Sequence, residues 1–185
     1  MGRTDHRPHL LTFGFSDGRQ LVFSIEIHRK RGGVYSVLSG FFKENELTII
    51  GAGERDIIRS RSNIPGEDAQ LFNLQAAAQR GRELFQELVA EANDLAAKPR
   101  FYNTITQNCT TVLYRLARNL NASQPLDWRI ILSGYLPDYA YKNGVLDRDL
   151  PLAELCECGR INERARAADQ SGDFCPLIGV GVPGW

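Results

Sequence analysis

The apolar residues of this chain change their spacing near residue 75, and that change decides the fold class. Before it, short β-branched and aromatic runs alternate with turn signals. His9 to Phe15 is such a run, and Ser16-Asp17-Gly18-Arg19 follows it with an Asp-Gly pair typical of tight hairpins. Gln20 to His28 is the answering strand. Val34 to Leu38 and Leu47 to Ile50 are shorter strand candidates, the second ended by Gly51-Ala52-Gly53, with Asp56 to Arg59 extending the sheet. Gln70 to Leu74 reads as one more strand. After it the spacing becomes helical. Gln75 to Lys98 carries Leu84, Phe85, Leu88, Val89, Ala92 and Leu95 along one face, and Pro99 closes it. Thr110 to Leu120 is a second helix with Val112, Leu113 and Leu116 inward. Trp128 to Lys142 is a third, broken by Pro137, and Ala153 to Ala168 a fourth. Strands first and helices after predict an α+β fold, an antiparallel sheet packed with helices.

The length of 185 residues suits one domain. Residues 9–185 are expected to form it, with 1–8 as a disordered leader. Lys plus Arg and Asp plus Glu both number 22, so a basic footprint for nucleic acid is missing. No run approaches the ~18–20 apolar residues of a membrane span, and the opening residues lack the apolar centre of a signal peptide. The expectation is a cytosolic protein or a piece of a longer, exported parent. Of the four cysteines, Cys156, Cys158 and Cys175 lack zinc-knuckle spacing and a nearby histidine, so no metal is expected there. A bond from Cys175 to Cys156 or Cys158 stays open.

Cys109 has a different setting. A polar, turn-like stretch from Pro99 to Asn108 runs directly into an apolar helical pattern, and Thr106 or Asn108 can cap that helix. Cys109 then falls in the first turn. Unpaired backbone N–H groups and the positive end of the helix dipole favour a thiolate there. The N–H groups around Asn108 and Thr110 can also hold an oxyanion. A cysteine nucleophile needs a base. Of the three histidines, His6 lies in the leader and His28 beside Arg29, Lys30 and Arg31, which leaves His9. If Asp17 and Gly18 are the whole turn, Ser16 pairs with Arg19 and His9 stands opposite Glu26. Directly opposed side chains share a face, so Glu26 would orient the imidazole. A longer turn would change the pairing. The competing readings are a buried structural Cys109 and a surface His–Glu pair.

These residues carry a resemblance. The runs His9-Leu-Leu-Thr-Phe-Gly-Phe-Ser-Asp-Gly, Ser24-Ile-Glu-Ile and Glu54-Arg-Asp resemble the periplasmic domain of the Lnb-type lipoprotein N-acyltransferases. Phe101-Tyr-Asn-Thr-Ile-Thr-Gln-Asn-Cys-Thr-Thr carries most of the likeness, with Asp127-Trp-Arg-Ile-Ile-Leu-Ser-Gly-Tyr and Ile161-Asn-Glu-Arg-Ala in support. The likeness covers nearly the whole chain from His9. It implies a circularly permuted papain-like fold of the NlpC type, in which the histidine precedes the cysteine. It implies Cys109 as nucleophile, His9 as base, Glu26 as the third member, and Tyr102 and Asn103 as substrate-binding residues. His28 stands where the family suggests arginine.

The resemblance implies a cysteine acyltransferase of the periplasm or its membrane face, without a cofactor. Its substrates would be a phospholipid donor and a lipoprotein amine, with membrane contact made by parts of the parent outside this chain. A hydrolase acting on cell-wall peptides and an inactive binding domain are the alternatives. Composition does not separate the three, since a lipid groove and a core helix show the same apolar stripe.

Overall fold

A computed structural model describes residues 9–28, 46–63, 68–103, 108–120, 125–130 and 133–185. The strand expected at Val34 to Leu38 and the His6 leader lie outside them. Among the described residues three strands form one sheet in the order β1 (His9–Gly14), β2 (Gln20–His28), β3 (Glu46–Gly53). Among the described residues seven α-helices follow: α1 (Glu54–Ser62), α2 (Ala78–Ala97), α3 (Cys109–Leu120), α4 (Leu136–Lys142), α5 (Leu152–Gly159), α6 (Asn162–Ala167) and α7 (Phe174–Gly179). The architecture is α+β with an antiparallel sheet.

The chain divides into two compact units with interleaved segments. The first contains residues 1–11, 23–51 and 77–139. Phe23, Ile25, Leu47, Leu88, Leu95, Val112 and Leu116 are buried in it. Helix α2 packs on α3, and the Phe23 and Phe85 rings meet edge to face with centroids 5.7 Å apart. The Leu47 amide donates to the Arg100 carbonyl at 2.9 Å, so the strand start and the segment leading to α3 are tied together.

The second unit contains residues 12–22, 52–76 and 140–185. Its buried residues include Val22, Ile57, Ile58, Leu155, Ala165, Phe174 and Ile178. Helix α6 packs on α1 and α7. Asp169 closes the end of α1, accepting from Arg59 Nη2 at 2.9 Å and from Asn63 and Arg59 Nε at 2.5 Å.

Several boundaries differ from the sequence reading. Gly51-Ala52-Gly53 continues β3 instead of ending it, and Asp56 to Arg59 is helical. The buried set Glu54, Ile57, Ile58 and Ser62 follows helical spacing, with acidic residues in the first turn and arginines in the last. Gln70 to Leu74 is not a strand of the sheet; Gln70 makes an isolated bridge to Arg160. That bridge also splits the helix expected over Ala153 to Ala168. Arg160 is extended (φ −63°, ψ 116°), and the Ile161 amide donates to the Ala69 carbonyl. Pro137 sits in the first turn of α4, where a missing N–H costs nothing, so it helps start that helix.

Candidate functional site

The turn between β1 and β2 sets which residue faces His9. The Gly18 amide donates to the Phe15 carbonyl at 3.0 Å, and the Phe15 amide donates to the Arg19 carbonyl at 2.9 Å. Gly18 has φ +81°. This is a type I turn followed by a left-handed glycine, with three loop residues, Ser16, Asp17 and Gly18. Asp17 stabilises it by accepting from the Arg19 amide at 3.0 Å and its guanidinium at 2.7 Å. Phe15, not Ser16, therefore pairs with Arg19. Continued along the strands, the register sets His9 opposite Ile25. Glu26 falls on the alternate face, with Ser24, whose hydroxyl donates to its carboxylate at 2.6 Å. The pairing of Glu26 with His9 expected from a two-residue turn is corrected on this point.

Cys109 begins α3, as the polar-to-apolar transition predicts. Of the two candidate caps, Asn108 holds the position, and Thr106 lies outside the described residues. Asn108 Oδ1 accepts from the Thr111 amide at 2.7 Å, and Thr111 Oγ1 accepts from the Asn108 amide at 2.8 Å. The arrangement is a reciprocal capping box with threonine in the place of the usual acid. Asn108 is buried, and its side-chain oxygen is committed to holding the helix start.

Cys109 and His9 meet at one hydroxyl. His9 Nε2 lies 3.0 Å from Thr110 Oγ1, and Cys109 Sγ lies 3.9 Å from the same oxygen. Thr110 is fully buried. Strand β1 thus supplies the imidazole and the first turn of α3 supplies both the thiol and the bridging oxygen. All three residues belong to the first unit.

The protonation states follow from burial. Burial lowers the His9 pKa from 6.5 to about 4. Burial likewise raises that of Cys109, against the opposing effect of the Thr110 hydroxyl and the backbone N–H groups of Thr110 and Cys109. The helix start does favour the thiolate, as its position predicts, but desolvation outweighs it. At neutral pH the resting pair is a neutral imidazole and a neutral thiol.

Tyr102 is buried, and Asn103 is half-buried on the segment that bridges to β3 through Phe101 and Glu46. His28 ends β2. Cys156, Cys158 and Cys175 are not joined by disulfides. Among the described residues, no group of three or more His, Cys, Asp or Glu side chains gathers as for a metal ion. No described helix is long and apolar enough to cross a membrane.

Sequence reasoning missed Glu54. It is buried at the start of α1 in the second unit, and its carboxylate accepts from Gln20, Thr12 and Cys175. Burial raises the Glu54 pKa, and burial with the carboxylate beside it raises Cys175 to about 12. Its place in the quoted Glu54-Arg-Asp run was the available signal.

Fold and site together define an α+β domain with a cysteine at a helix start and a histidine on the first strand, joined through a threonine. Over residues 9–134 the chain matches the family described as the Lnb N-terminal periplasmic domain, and it belongs to that family. It is thereby a periplasmic domain. No curated protein and no solved structure matches the chain.

Proposed function

We propose that this domain is a cysteine acyltransferase that forms an acyl thioester on Cys109 and passes the acyl chain to an amine, in the family's setting a lipoprotein N-terminus. The observation that carries the reading is the position of Cys109. It occupies the first turn of α3, with backbone N–H groups at its sulfur and the His9 imidazole at the adjoining hydroxyl. The order of histidine before cysteine fits a circularly permuted papain-like enzyme.

In this reading a neutral His9 accepts the thiol proton as Cys109 sulfur bonds to the carbonyl carbon of a phospholipid ester. The carbonyl oxygen becomes an oxyanion held by N–H groups at the start of α3. Collapse breaks the ester C–O bond, and the leaving alkoxide takes the proton from His9. The acceptor amine then attacks the thioester carbonyl. His9 takes the amine's proton and returns it to the departing sulfur, which leaves an amide and a free thiol. Glu26 has no part in this scheme.

The test supplies a phospholipid and a diacylglyceryl-cysteine peptide, and follows the peptide's mass. A gain of one acyl group with the parent and none with Cys109→Ala supports transfer. Release of free fatty acid without amide, or cleavage of cell-wall peptides instead, would replace the transferase with a hydrolase.

A further inference from the structure

The proposed nucleophile and base do not share a direct hydrogen bond, and the atom between them belongs to Thr110. Its hydroxyl stands 3.0 Å from His9 Nε2 and 3.9 Å from Cys109 Sγ. A hydroxyl has one proton to give and lone pairs to accept another. A neutral imidazole can accept at Nε2, and a thiol can donate, though weakly. The Thr110 side chain is fully buried, so its hydroxyl is turned away from bulk solvent. Asn108 and Thr111 lock the first turn of α3 around it, which fixes the oxygen relative to the sulfur one residue earlier.

We propose that Thr110 is the positioning residue that couples Cys109 to His9, its hydroxyl passing the thiol proton to the imidazole. As the S–H bond breaks, its proton goes to Thr110 Oγ1, while the Thr110 O–H proton goes to His9 Nε2. The sulfur keeps the electron pair and the hydroxyl is regenerated, so one proton moves from sulfur to nitrogen and nothing is oxidised or reduced. The same contact sets the imidazole's orientation, the task that a carboxylate opposite His9 would otherwise perform. This rests on the reading of Cys109 as a nucleophile that His9 deprotonates, but it does not depend on which acyl donor or acceptor is used.

The experiment therefore needs no lipid. The full chain is treated with iodoacetamide at fixed pH, and labelling of the Cys109 peptide is timed by mass spectrometry. Parent, Thr110→Val, Thr110→Ala, Thr110→Ser, His9→Ala and the double variant His9→Ala/Thr110→Val are compared, with thermal midpoints recorded. The expected result is a labelling rate lowered ~10-fold or more in Thr110→Val and Thr110→Ala, a part of the ~100-fold or more that a general base contributes. Thr110→Ser should restore most of it, and the double variant should be no slower than His9→Ala alone. Parent-like labelling in folded Thr110→Val or Thr110→Ala would overturn the proposal. So would Thr110→Val and His9→Ala effects that multiply, which would mean independent roles. If Val does not fold, Ala against Ser decides. Failure of acyl transfer with intact Thr110 coupling would sink the transferase reading alone.

Discussion

Acidification will weaken the folded protein through His9, by an amount that the burial of this one ring determines. In the unfolded chain the imidazole titrates at 6.5, and in the folded protein at about 4. The native state therefore binds fewer protons between those values, and its stability falls as the pH drops through that window. At pH 7 both states are mostly neutral and the penalty is small. At pH 5 the unfolded chain is mostly protonated at this site and the native state is not, which costs about 2 kcal/mol. For a chain of this size that is a midpoint lower by roughly 4–8 °C. The assay is thermal unfolding at pH 7 and pH 5 for the parent and for His9→Gln, which does not titrate and can still reach Thr110. Subtracting the variant removes the other titrating groups. The parent should lose about 2 kcal/mol more than His9→Gln over that interval. Equal losses would refute the burial of a neutral imidazole at this position.

Other consequences are open to direct measurement. Because the Cys109 pKa is raised, its alkylation at neutral pH should be slower than that of an unfolded peptide thiol and should keep climbing in the alkaline range; a plateau near neutrality would mean a preformed thiolate. Glu54 has a raised pKa in the folded state, so its contribution is present below the ordinary carboxylate range and is lost as pH rises through its folded value. Glu54→Gln should remove that decline, and urea midpoints from pH 4 to pH 8 check it. A Cβ at Gly159 would stand 2.7 Å from the Leu71 carbonyl oxygen, whose own amide donates to Gly159. Gly159→Ala should therefore cost about 1–3 kcal/mol of stability, read as a lower urea midpoint.

The parts of this protein legible in sequence were those set by local pattern. The periodic apolar face of α2 and the polar lead into Cys109 locate α2 and α3 within a few residues. The hairpin was legible too, but its turn type was not. Asp-Gly suits both a two-residue turn and a three-residue turn with one left-handed glycine, and the choice moves the register by one. That step places Glu26 on the face away from His9. Helix α1 was hidden because its buried face includes Glu54 and Ser62, which read as polar breaks. The split between α5 and α6 comes from Arg160 pairing with Gln70, a contact far away in sequence. In the sequence Thr110 is simply part of the helix start, next to Cys109. Its contact with His9 joins residues 101 positions apart, and only the packing of β1 against the start of α3 reveals it.

The central claim is that Cys109 carries an acyl group. The most direct measurement is the intact mass of the protein after incubation with a phospholipid of defined chain length, before and after neutral hydroxylamine. The account predicts a gain of one acyl group, located on the Cys109 peptide, removed by hydroxylamine and absent in Cys109→Ala. An unchanged mass under conditions where the peptide acceptor becomes acylated, or an equal gain in Cys109→Ala, would contradict it.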